Sequence, residues 1–286
     1  MHDSKIFLIQ CECQYISVYE ASKPYSFLHK IIVCGMINPS DLLKFDGCLY
    51  IPDNMTPGKC RLSGINLDID HCIWKIQLSD TVNSEKMLTL LGKWWPWSLS
   101  ITSDGRQIII GTTTEKAYFW SPVTNEVQVV TLPADVKCCQ HILELSSGSY
   151  MLCHDPWPSS GLKKVCRLVR SGDKMNFAEI SCDTDGLYIP TDKDDLHKPE
   201  RLVELPDGTI LVVDNHNNCL LVMDKDLKSQ KVLLCLKTGG KKRPCRIAYD
   251  SCLGLLLVAF HHSAGLYFLH VDANGALTST SSPHLQ

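Results

Sequence analysis

The sequence predicts an all-β fold, a six-bladed β-propeller whose first blade lacks its innermost strand. Three observations lead there. A unit of about 45–60 residues recurs, with clear starts at Pro39, Pro96, Cys139, Pro199 and Pro244. Its fullest copy, KPERLVELPDGTILVVDNHNNCLLVMD from Lys198 to Asp224, holds three short apolar runs punctuated by an Asp-Gly turn and an Asn-rich turn. No window of helical periodicity competes with these runs. A sheet of three or four short strands cannot bury both of its faces alone, so such units must stack on copies of themselves.

The elements derive from the repeat. Ahead of Asn38 lie three strand-like runs, Ile6 to Gln10, Tyr15 to Tyr19 and Phe27 to Val33. In the repeat frame they match the second, third and fourth strands of a blade without its first. In the copy that starts at Pro96, Asp104-Gly105 separates SLSIT from QIIIGT, and Pro122 to Asn125 separates AYFW from VQVVTL. Asp-Gly at the first site is expected to supply the positive φ angles of a two-residue hairpin. The two longest intervals carry polar inserts, Asn54 to Asp70 and Ser181 to Asp195. One propeller domain is expected over 1–275. Residues 276–286 are expected to form a disordered tail or a weak closing strand for the first blade.

Composition narrows the class. Of 286 residues, 44% are hydrophobic and 21% charged, as in soluble globular proteins. A net charge of −3 offers no global field for nucleic acid or anionic lipid. The run Cys252 to Phe260 is about half the length a membrane helix needs, so no membrane association and a cytoplasmic location are expected. Fifteen cysteines occur, none in a CxxC, and most fall inside strand-like runs, where reduced core thiols are expected.

The unit from Pro199 to Asp224 resembles an NHL repeat, through its leading Pro199, the Asp207-Gly208 turn, the VVD ending at Asp214 and the Asn217-Asn218 turn. In the Pro96 copy, Gly111 stands where that Asp is expected. The chain is also similar to a group of invertebrate NHL-like proteins through KWWPWSLSITSDG and LPADV…CHD. The resemblance implies an NHL-like propeller such as those of tripartite-motif proteins, which bind substrates or RNA. Related six-bladed propellers include calcium-dependent lactonases.

Aligning the repeat starts gives one polar residue per blade at a common level: Asp41, Ser98, His141, Arg201 and Arg246. Alternation should turn each towards the central channel, because an apolar residue comes directly after each one. Two arginines there suit a carboxylate or phosphate guest, unless Asp41 pairs with them and plugs the channel. The loop-rich face around this mouth should present Trp95, His154, Trp157, His216, Lys241, Lys242 and Arg243.

Catalytic signatures are thin. No GxSxG, P-loop, GxGxxG or HExxH occurs. Cys139 and His141 sit at i, i+2 on one predicted strand face, with Cys138 beside them and no orienting acid. Two arginines in the aligned positions oppose a calcium ring. The expected role is therefore a non-enzymatic interaction module for a protein or peptide, without cofactor, bound metal or DNA. The alternatives are a metal-dependent hydrolase or lactonase, or a single-stranded RNA binder using Lys241 to Arg243.

Overall fold

Short strands, most of them five to eight residues long, build six consecutive antiparallel units. The computed structural model describes residues 5–9, 14–22, 25–54, 71–78, 83–90, 95–134, 136, 138–154, 164–177, 187–188, 199–215, 217–223, 230–235, 243–261, 266–272 and 277–279. Most of the two predicted inserts lies outside these residues.

The first unit has three strands, β1 (Lys5–Ile9), β2 (Tyr15–Glu20) and β3 (Phe27–Ile32). The second has β4 (Leu43–Phe45), β5 (Cys48–Asp53), β6 (His71–Gln77) and β7 (Asn83–Leu90). The third runs through β8 (Pro96–Ile101), β9 (Ile108–Thr112), β10 (Lys116–Trp120) and β11 (Val127–Thr131). The fourth holds β12 (Cys139–Glu144), β13 (Tyr150–His154), β14 (Lys164–Ser171) and β15 (Lys174–Phe177), with β16 (Leu187–Tyr188) also pairing with β14. The fifth comprises β17 (Pro199–Glu204), β18 (Ile210–Asp214), β19 (Cys219–Met223) and β20 (Gln230–Cys235). The last comprises β21 (Arg243–Asp250), β22 (Leu255–His261), β23 (Leu266–Val271) and β24 (Leu277–Ser279). Among the described residues a single parallel pairing, Thr131 with Lys174, joins the third and fourth units at their outer edges.

The units close into a propeller through their apolar faces. Six buried clusters each span one pair of neighbours. Ile109, Phe119, Leu152 and Cys166 join the third and fourth units. Ile6, Tyr25, Leu255 and Phe268 join the last unit to the first. There Tyr25 stacks on Phe268 with ring centroids 4.0 Å apart. Fully burying a side chain of this size is worth about 1.5–3 kcal/mol. Among the described residues, every strand shares its unit only with strands close to it in sequence, so no strand exchange fastens the ring. Packing closes it. Leu277–Ser279 pairs with β23 as the outermost strand of the last unit. It therefore does not supply the inner strand of the first, one of the two expectations for this segment.

Turn chemistry departs from the two-residue hairpin expected at Asp104-Gly105. The Thr102 N–H donates to the Gln107 carbonyl at 3.0 Å across an intervening loop, and Gly105 has positive φ, +65°, but Asp104 does not. The Asp207-Gly208 turn departs in a related way. The Gly208 N–H donates to the Leu205 carbonyl at 2.9 Å, and the Leu205 N–H donates to Thr209 at 2.8 Å. Pro206, Asp207 and Gly208 thus form a three-residue loop in which only the glycine has positive φ, +84°. The Asp207 carboxylate instead accepts from the Thr209 N–H and hydroxyl, both at 2.9 Å. Ten of the described cysteines are free thiols, and seven of these are buried in the clusters or strands.

Candidate binding site

A β-bulge repeated in register builds the centre of the molecule. In β8, β12, β17 and β21 the pairing slips by one residue near the strand start, between Pro96 and Ser98, Cys139 and His141, Pro199 and Arg201, and Pro244 and Arg246. A bulge inserts one residue, bends the strand and re-aims the side chains beyond it. The residue after it is in each case one of the aligned polar positions. The next residue, which is apolar, packs towards the preceding unit: Leu99, Ile142, Leu202 and Ile247 each lie in the cluster shared with that neighbour.

These positions meet. Arg201 Nη2 of the fifth unit lies 2.5 Å from Asp41 Oδ2 of the second, across the axis. Arg246 Nε is 3.7 Å from Asp41 Oδ1, and its Nη1 is 3.9 Å from Glu200 Oε2. Arg246 also donates to the carbonyls of Ser40 and Cys245. Asp41 accepts the Leu99 N–H at 2.7 Å, and His141 Nδ1 accepts the Leu202 N–H at 3.3 Å. In both cases the acceptor serves the residue after the aligned position of a later unit. Ser98 is buried at the same level and its hydroxyl has no hydrogen-bond partner. Nη1 of Arg201 is likewise buried without one. Asp41, Arg201 and Arg246 therefore meet at a shared centre with His141 in their electrostatic reach, and its charges are largely paired internally.

Burial sets the protonation of this centre. It brings the Arg201 guanidinium down to about 10, with Asp41 working against that and Arg246 adding to it. It holds His141 well below the usual imidazole range, and the cations Arg201 and Arg246 push the same way. A neutral His141 agrees with Nδ1 acting as acceptor. The unfolded chain then binds a proton that the fold refuses, so stability is full above ~6.5 and declines as pH falls below it. His141→Gln is expected to flatten the unfolding free energy below pH ~6.5, by up to about 1.4 kcal/mol per pH unit relative to the parent. Urea melts at pH 7.0, 6.0 and 5.0 read this slope. Parallel slopes in parent and variant would contradict it.

The bulge separates the two residues that a strict alternation places together. Cys139 pairs with His154 but His141 pairs with Cys153, so their side chains leave opposite faces. Cys139 enters the core between the third and fourth units, and burial pushes its thiol far above the ordinary range. A thiol–imidazole dyad is not formed.

The same register relocates the Asp of the repeat. Pro199 pairs with Asp214, Pro39 with Asp53 and Pro96 with Thr112. The equivalent in the third unit is therefore Thr112, not Gly111. Asp214 accepts from the Asn217 N–H at 3.2 Å and its side-chain amide at 2.9 Å, as expected for the Asn-rich turn. Asp53 holds the N–H groups of Ile37 and Asn38 and the Trp74 indole. Thr112 donates to the Lys116 carbonyl at 2.8 Å. Gly111 has a different reason: a Cβ there would lie 2.4 Å from Ser98 Oγ and 3.2 Å from Cys139 Sγ.

On the loop-rich face the results divide. Trp95 is half-buried, tied to Thr113 by backbone and hydroxyl bonds of 3.2 and 3.1 Å, with its ring 6.1 Å from His71. Arg243 is exposed at the start of β21. His154, expected on this surface, is instead buried at the end of β13 opposite Cys139, in the position Asp214 occupies in its own unit. Trp157, His216, Lys241 and Lys242 lie outside the described residues. Glu200 was not anticipated. As the extra residue of the bulge it swings inward, is 5% exposed and faces Arg246. Among the described residues no cluster of three histidine, cysteine or carboxylate side chains could hold a metal ion, and no helix is long and apolar enough to cross a membrane.

Comparison with solved structures agrees with this architecture. A chain of the nidogen–laminin complex superimposes with a TM-score of 0.65 at 13% identity, over 98% of this chain and 93% of that one. A streptogramin B lyase gives 0.62 at 11% identity, over 99% and 82%. A putative 6-phosphogluconolactonase from Bacteroides fragilis gives 0.59 at 12%, over 98% and 81%. The chain is a β-propeller. At these identities the likeness is one of fold, and the fold serves both assembly and enzymes among these neighbours. No protein-family profile and no curated protein matches the sequence.

Proposed function

We propose that this propeller is a non-enzymatic interaction module of NHL-like type, binding a protein or peptide on the loop-rich face around its central mouth. The observation that carries the reading is the internal pairing of the centre. Asp41 already engages Arg201, Arg246 and the Leu99 N–H, so the charged groups of the centre are committed to one another rather than to a small substrate. His141 is spent as a structural acceptor, and Cys139 is a protonated core thiol. Neither supplies a nucleophile or base. Partners would then be recognised by the rim, where Trp95 offers a partly buried aromatic anchor and Arg243 an exposed cation. A partner from a protein complex, as in one structural neighbour, fits this better than the lyase and lactonase chemistry of others.

The test is selection of peptides from a displayed random library against the whole chain. Selected peptides are expected to bind the parent and to lose at least tenfold in affinity with Trp95→Ala or Arg243→Glu. Val123→Glu, at an exposed turn between β10 and β11, should leave affinity unchanged. Loss with Val123→Glu alone would place binding on the other face and refute the reading. Salt-dependent retention of single-stranded RNA, with no peptide selected, would favour the RNA alternative.

A further inference from the structure

On the face opposite the loop-rich one, two seams of the ring are fastened by the same clasp. Glu144, at the end of β12, accepts the N–H of Ser103 in the inner turn of the third unit at 3.0 Å. Glu204, at the end of β17, accepts the N–H and hydroxyl of Ser146 in the inner turn of the fourth, both at 2.8 Å. Among the described residues the seam between the second and third units has no such clasp. The equivalent position, three residues after the aligned Ser98, is Ile101. The inner turn of the second unit is also cut to two residues, Asp46 and Gly47, both with positive φ, +47° and +71°. At this seam lies a cleft of about 560 Å3, lined by Phe45, Asp46, Gly105, Arg106, Ser121 and Val123.

The lining is amphipathic. Phe45 is half-buried against the cluster shared by the two units, with its ring 6.1 Å from Tyr50. Val123 is 80% exposed on the turn between β10 and β11. The charges come from different units, Asp46 from the second and Arg106 from the third. Arg106 reaches Asp104 only loosely, at 3.8 Å, and 84% of its side chain is exposed. Asp104 is itself turned to the Thr102 hydroxyl at 2.6 Å and the Arg106 N–H at 3.0 Å. Among the described residues no ion pair joins Arg106 to Asp46. A carboxylate and a guanidinium therefore share one cleft with an apolar surface and leave each other unneutralised.

We infer that this cleft binds a small zwitterion with an apolar body, of the class of a short peptide with free termini. Its ammonium group meets Asp46, its carboxylate meets Arg106, and its apolar side chain rests on Phe45 and Val123. A guanidinium suits a carboxylate through two parallel bonds. The volume falls in the roughly 300–1,000 Å3 range of small-molecule sites. Exposed charge pairs are weak, so each terminus contributes about two- to fivefold in affinity. The site lies opposite the rim and does not rest on the interaction-module reading, so either can fail without the other. Peptides fused to a display protein lack the free carboxylate that this cleft requires.

The probe is the dipeptide Leu-Phe with free termini, titrated into the isotope-labelled whole chain. Expected are saturable amide shifts at Gly105, Arg106 and Val123, with far weaker binding of glycylglycine, which has no apolar body. Val123→Glu, which brings a carboxylate into the cleft with Arg106, should abolish the shifts in a chain of unchanged melting temperature. Amidating the C-terminus of the dipeptide should weaken binding about two- to fivefold. Arg106→Gln should weaken the parent dipeptide equally and the amidated one no further. Asp46→Asn, which an asparagine's tolerance of left-handed backbone permits, should stand in the same relation to N-acetylation. Equal affinity of the parent and doubly blocked dipeptides would overturn the inference. So would the absence of saturable shifts at these amides, or binding lost with Trp95→Ala and kept with Val123→Glu.

Discussion

Asp41→Ala is expected to lower the unfolding free energy by about 3–5 kcal/mol, the range for breaking a buried ion pair from one side. The size reflects the partners that the carboxylate holds. It neutralises Arg201, whose side chain is 4% exposed, lies near Arg246, and accepts the Leu99 N–H of the third unit. Alanine would leave a buried guanidinium without compensation and a backbone donor without its acceptor. Urea melts should show a lower midpoint at unchanged slope. Arg201→Met should cost less, because Asp41 keeps Arg246 and the Leu99 N–H, and a methionine of similar length refills the axis. A loss below about 0.5 kcal/mol for Asp41→Ala, as for an ordinary surface change, would show that the centre is not assembled as described.

Phe268→Ala is expected to cost about 3–5 kcal/mol, the range for truncating a buried phenylalanine, and to release the first unit selectively. Phe268 is 1% exposed and stacks on Tyr25 in the cluster that joins the last unit to the first. Since no strand is shared across that seam among the described residues, packing there is the closure. Hydrogen exchange should quicken over β1 to β3 well beyond the change in β12 and β13. Leu152→Ala, in the cluster between the third and fourth units, serves as the contrast: a comparable loss of stability without preferential release of the first unit. Uniform acceleration in both variants would contradict closure by packing.

How much of this was legible in the sequence depends on the kind of signal. Strands bounded by Asp-Gly or Asn-rich turns announce themselves locally, so the successive units could be read, including a first unit with three strands among the described residues. The five aligned polar residues could also be found, because each precedes an apolar residue at a fixed distance from the repeat start. The bulge was not legible. It adds one residue whose neighbours look like ordinary alternation, and that single slip explains several departures. Cys139 and His141 part company, Glu200 turns inward, and the Asp equivalent in the third unit becomes Thr112. Gly111 illustrates another limit: its role comes from Ser98 and Cys139, which only the assembled units bring against it. His154 was expected on the loop-rich face, but its register opposite Cys139 buries it.

The second and fifth units face one another across a common axis, where Asp41 meets Arg201. A double-mutant cycle on Asp41 and Arg201, separated by most of the repeat array, tests it with stability as the readout. Asp41→Asn, Arg201→Met and the pair should show a coupling of about 1–3 kcal/mol, as expected for residues in direct contact. Additivity within about 0.5 kcal/mol would mean that the two side chains do not meet, and the central site would not exist.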